Sequence, residues 1–160
     1  MDIYASIAQN AIELPPPTQP KGHYGMTVMF GRKYLCTAGT GCAKDGEPLV
    51  KGALGKNVTV EMGKKAAEQC AKNILANVEA ALGSLNIIAR IIKSTVFIAA
   101  TAEFTEQSAV GDGASELFKK VFGPDKIGVR SAIGVQSLPR GQAVEIEVIF
   151  ELKDSDKIAD

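Results

Sequence analysis

The chain has 160 residues, of which 46% are apolar and 22% charged. That length predicts one domain of the usual ~100–200 residues, and the composition excludes disorder, collagen and coiled coil. Eighteen Lys and Arg balance eighteen Asp and Glu, with the basic residues scattered, so nucleic acid is an unfavoured partner.

No apolar run approaches the ~18–20 residues of a membrane span, and the start lacks the basic region of a signal peptide. Cys36, Cys42 and Cys70 are odd in number and show no CxxC spacing, which fits a reducing, cytoplasmic setting. The single histidine, His23, and those cysteines form no zinc ligand set. The expectation is a soluble domain without metal.

Residues 1–20 read as a lead-in. Ile3, Ile7 and Ala8 have helical spacing, and Pro15, Pro16 and Pro17 then hold an extended segment that lies across the fold or reaches a neighbouring chain. MTVMF and KYLCTA read as a hairpin around Gly31-Arg32, with glycine placed for a type II′ turn. The glycines of residues 39–57 mark a long irregular loop, a common place for function.

A helix is predicted from about Val60 to Leu82, with Thr59 as N-cap, Glu61 in its first turn and Gly83 just past its end. Its apolar stripe runs through Ala67, Cys70, Ala71, Ile74 and Val78. IIARIIKSTVFIAA, rich in β-branched residues, reads as a buried strand. A second helix is expected from Thr105 towards Phe122, stopped by Gly123-Pro124. Gly111 and Gly113 weaken it, which predicts a late start or close packing. VRSAIGVQS and AVEIEVIFEL read as two further strands around the turn Leu138–Gly141. The order predicts an α+β fold, a mixed β-sheet with two helices packed on one face. Residues 21–153 form the domain, and 154–160 a frayed tail.

If the last turn is a hairpin, Arg130 and the carboxylates of Glu145 and Glu147 lie near one another on the face the helices leave open. Copies of the chain could cover that face. Arg130 would then be a bidentate receptor for a small carboxylate. The blander alternative is a set of solvated partners worth little.

VRSAIGVQSLPRGQAVEIEVIFEL resembles the closing block of the Rid family (RidA/YjgF, also labelled endoribonuclease L-PSP). The similarity extends through STVFIAATAEFTE, NILANVEAALG, GALG and the HYG…AG segment, over residues 21–152 in the family's order. The ELPPP lead-in and VGDGASELFKKVFG are similar to a longer bacterial-type branch. The resemblance implies a chorismate-mutase-like, trimer-forming fold with three inter-subunit clefts and no cofactor. It also implies hydrolysis of reactive 2-imino (enamine) acids to 2-keto acids and ammonia. Carried over residue by residue, Arg130 matches the arginine that holds the substrate carboxylate. Glu145 matches the glutamate that positions water or shuttles a proton. Tyr24 matches the tyrosine walling the cleft, and Gly39 the glycine whose backbone lines it.

Two positions depart from the family pattern. Ala38 stands where a serine is common, so a hydroxyl is lost beside Gly39, for which Thr40 or Cys42 could compensate. Asp112 stands where an asparagine is common. Against the imine deaminase stand two other readings, a non-catalytic trimeric binder of small carboxylates or keto acids and an endoribonuclease. Cys42, in the glycine-rich loop, is expected to be the most reactive thiol. Cys36 and Cys70 are expected to be small core residues, and His23 to pack or sit at a pocket rim.

Overall fold

A computed structural model of the chain describes residues 2–153, so the tail expected at 154–160 lies outside the described residues. Helix α1 (Ile3–Gln9) opens the chain, capped by Asp2, whose side chain accepts a hydrogen bond from Tyr4 N at 3.0 Å. It is docked on the domain: Tyr4 Oη donates to Glu79 Oε1 at 2.7 Å and Ile3 N to Asn86 Oδ1 at 2.8 Å. The lead-in therefore lies across the body of the fold.

Helix α2 (Val60–Leu82) ends where its caps say it should. Thr59 Oγ1 accepts from Met62 N at 3.2 Å, and Gly83 takes a left-handed φ of 74°. The stripe Ala67, Cys70, Ala71, Ile74 and Val78 is fully buried. Helix α3 (Gln107–Phe122) starts two residues later than expected and buries Val110, Ala114, Leu117, Phe118 and Val121. Gly113 explains its composition, because a Cβ there would overlap the backbone carbonyl of Lys64 in α2. The glycine lets the two helices touch backbone to backbone.

The strands are β1 (Thr27–Phe30), β2 (Tyr34–Thr37), β3 (Thr40–Gly41), β4 (Ala43–Lys44), β5 (Glu47–Pro48), β6 (Ile88–Ala99), β7 (Val129–Val135) and β8 (Val144–Leu152). The main sheet runs β1-β2-β8-β6-β7, with β3 continuing beside β8 beyond the end of β2. Its helix-covered face carries Val144, Ile146, Val148, Phe150 and Leu152 of β8, all fully buried, as strict alternation requires.

Three expectations are corrected. The 138–141 turn does not pair β7 with β8. Helix α3 carries the chain back so that β7 lies parallel to β6, with Ser94 opposite Arg130, while β8 inserts antiparallel between β2 and β6. A helix-length connection favours a parallel neighbour, as in βαβ units. The first hairpin has three loop residues, because Phe30 pairs with Tyr34, and Arg32 shares the left-handed region with Gly31, so it is not a two-residue type II′ turn. Residues 39–57 are not irregular throughout: β3 joins the main sheet, and β4 and β5 form a small hairpin turning at Asp45-Gly46.

Candidate functional site

One half of the site is built on β8. Glu145 faces away from the helices, between the buried Val144 and Ile146, and is half-buried. Its register partners are Gly41 on β3 and Phe97 on β6. The carboxylate folds over the break between β2 and β3, so close to Gly39 that a Cβ there would overlap Glu145 Oε1. Gly39 and Glu145 are thus brought together, and a side chain at position 39 would push the carboxylate aside. Gln142 Nε2 donates to Glu145 Oε2 at 2.8 Å. Burial raises the Glu145 pKa above the ordinary glutamate value, and Glu147 pushes it the same way, while the Gln142 hydrogen bond opposes them. A carboxyl so placed can hold a proton nearer neutrality than a solvated one. Behind it, Gln142 lines a hollow of about 280 Å³ shared with Gly52, Asn57, Gln136 and Leu138.

The other half lies elsewhere. Arg130 sits opposite the buried Ser94, which in turn faces the buried Val148, so its side chain is on the helix-covered side and not on the face of Glu145. Its guanidinium rests against Gly111 of α3. One terminal nitrogen donates to Asp112 Oδ1 at 2.9 Å and Ser115 Oγ at 2.8 Å. The other donates to Ser108 Oγ at 3.0 Å and the Ser108 carbonyl at 3.1 Å. The expectation that Arg130 and the glutamates share the open face is therefore corrected. Two strand spacings and three residues of register separate Arg130 from Glu145, roughly 14 Å between Cα atoms.

Tyr24 is 50% exposed. It lies two residues before Met26, whose carbonyl accepts from Ala38 N at 2.8 Å, next to Gly39. Its hydroxyl accepts from Lys21 N at 3.3 Å. The open sheet face around Glu145 is apolar at its margins, with Val28 63%, Phe30 47%, Val129 65% and Ile133 44% exposed.

Neither proposed substitute for the lost hydroxyl at Ala38 faces the site. Thr40 is buried, with its hydroxyl donating to the Ala38 carbonyl at 3.1 Å. Cys42, expected to be the most reactive thiol, has its pKa lowered to about 6 by its hydrogen bond with Cys70, but it is fully buried against the Val50 carbonyl and so withheld from solvent. Burial pushes the neighbouring Cys70 thiol up. Cys36 is the half-buried one of the three, on the open face near Glu147. His23 is exposed. Sequence reasoning missed Gln142, Ser108 and Ser115. Only the position of Gln142 three residues before Glu145 marked any of them.

The geometry shows an α+β domain with a desolvated glutamate beside a strand-break glycine and an arginine held on its edge strand. The comparisons agree with the fold. Residues 17–152 match the family described as endoribonuclease L-PSP. The chain is similar to protein TCP17 of Trypanosoma cruzi, at 36% identity over 95% of each chain. It is similar to a 2-iminobutanoate/2-iminopropanoate deaminase of Dermatophagoides farinae, at 28% identity over 89% of this chain and 95% of the other. The crystal structure of Atu1372, a protein of unknown function from Agrobacterium tumefaciens, superposes with a TM-score of 0.85 at 37% identity, covering 95% of this chain and 92% of that one. The chain belongs to the endoribonuclease L-PSP (YjgF/RidA) family.

Proposed function

We propose that the protein hydrolyses small 2-imino acids to 2-keto acids and ammonia, in clefts formed between copies in a homotrimer. The observation that carries the reading is the division of the site. Arg130 and Glu145 lie on opposite faces of one sheet, so a single copy cannot bring both to one small substrate. A neighbouring copy seated on the open face would cover its exposed apolar margin and join one chain's Glu145–Gly39 half to the other's Arg130 half.

In that cleft Arg130 holds the substrate carboxylate and Glu145 manages water and protons. Water's oxygen bonds the imine carbon, the C–N bond breaks, and nitrogen leaves as ammonia with protons that pass through Glu145. The imine carbon is already electrophilic, so positioning and proton transfer are enough. A relative bearing a deaminase name supports the chemistry. Glu145, Glu147 and Glu151 alternate along one face of β8, an unfavourable lining for an RNA backbone. Among the described residues no helix is long and apolar enough to cross a membrane, and the three free cysteines fit a cytoplasmic setting.

A second reading has its own observation. Ala38 brings no hydroxyl to the pocket beside Gly39, which suits a binder that keeps Arg130 for a carboxylate but lacks the geometry to handle water. The test that separates the two is a coupled assay. An amino-acid oxidase generates the 2-imino acid in situ, and imine decay is followed with wild type and with Arg130→Ala. Acceleration that disappears in the variant supports the hydrolase. Carboxylates that raise the melting temperature without any acceleration support the binder.

A further inference from the structure

A cavity of about 510 Å³ lies away from both halves of the candidate site. The lead-in roofs it. Pro15, Pro16 and Pro17 span a trough whose other wall is the β4–β5 hairpin and whose floor is α2. The strap is fixed on both sides: α1 docks before it, and Thr18 behind it donates from N and Oγ1 to Asn77 Oδ1 at 2.7 and 3.0 Å. Prolines have no N–H to give, so Pro15, Pro16 and Pro17 donate no hydrogen bond to the floor.

The floor is polar although it is buried. Asn73, 1% exposed, spends its amide protons on the carbonyls of Gly41 and Ala43, each at 2.8 Å. Gln69, 9% exposed, donates from Nε2 to Asn73 Oδ1 at 2.9 Å. Its own Oε1 has no donor among the described residues, and the residue lines the trough. A solvent-reaching amide carbonyl on the wall of a trough can accept from a ligand with an N–H or O–H to offer.

The rim supplies charge. Lys21, Lys44, Lys72 and Arg140 border the trough against Glu13 and Asp45, in a chain of zero net charge. Lys72 is held by Glu68 and Arg140 by Glu47, each at 2.8 Å. Lys21 and Lys44 have no ion pair among the described residues. The volume lies within the ~300–1,000 Å³ of small-molecule sites.

We propose that this trough is a second ligand site, for a small anion that also carries a hydrogen-bond donor. Hydroxy- and amino-carboxylates and phosphate monoesters share that chemistry. The anion meets Lys21 and Lys44, and the donor reaches Gln69 Oε1. This assignment is independent of the imine chemistry at Glu145.

Thermal shift on the full chain tests it, with glycolate, L-serine and glycerol phosphate as probes and acetate as the anion without a donor. At least one of the three probes raises the melting temperature, and does so at lower concentration than acetate. The shift persists in Arg130→Ala and is lost when Lys21→Glu/Lys44→Glu, both exposed positions whose replacement leaves the core intact, are added to that variant. Gln69→Leu brings that probe down to the level of acetate. No shift from any probe overturns the proposal. So does a shift of the Arg130→Ala chain that survives addition of the double charge reversal, or one that disappears with Arg130→Ala.

Discussion

At Glu145 the burial that closes the carboxylate over Gly39 also makes its ionised form costly, which links chemistry to stability. Its pKa is raised in the folded chain, so the native state holds the proton more tightly than the unfolded one. Its favourable contribution is complete below the unfolded value and is lost as pH rises through the folded value. Glu145→Gln should therefore melt higher than wild type at neutral pH, with the gap closing as pH falls towards about 4. Melting curves across that range check the sign, and a gap that widens on acidification contradicts it. The same substitution should abolish turnover, because an amide cannot pass protons.

Asp112 offers a second prediction at this scale. Its carboxylate competes with any anion for Arg130, whereas an amide would keep the hydrogen bond without the charge. Asp112→Asn should lower KM for an imino acid by about 3–10-fold, the worth of one partly exposed charge pair, with kcat little changed. A raised KM would make Asp112 a positioning residue for Arg130.

The α2–α3 contact depends on Gly113 at the level of the elements. Gly113→Ala forces a methyl against the Lys64 carbonyl, and neither helix backbone can give way locally. A loss of about 1–3 kcal/mol follows, read by chemical denaturation. An unchanged midpoint would mean that the helices are less tightly seated than described.

The same elements show what could be read in the residues. Caps and stripe defined α2 to its ends, and the alternation of β8 announced which side is core. The neighbour of β7 was not legible. Leu138–Gly141 carries turn signals whether the next strand pairs beside β7 or crosses to the far side of β6. What decides is tertiary: β8, apolar at every second position, belongs in the centre, while β7, half-exposed along its length, serves as an edge. That choice moved Arg130 to the other side of the sheet. Gly39 and Glu145 were recognisable through family resemblance, but their mutual contact came from the break between β2 and β3, which no local pattern encodes.

For the whole molecule the account requires that catalysis belong to pairs of copies. The open face presents apolar side chains around acidic ones, and a surface of that kind is expected to be covered. Each cleft then takes Arg130 from one chain and Glu145 from the next. Arg130→Ala and Glu145→Gln chains, each inactive alone, should complement when coexpressed. In random trimers about a quarter of clefts combine two intact halves, so about a quarter of wild-type imine hydrolysis should return. Mixed trimers no more active than the separate variants would contradict the shared cleft, and a wild type without imine hydrolysis would contradict the chemistry itself.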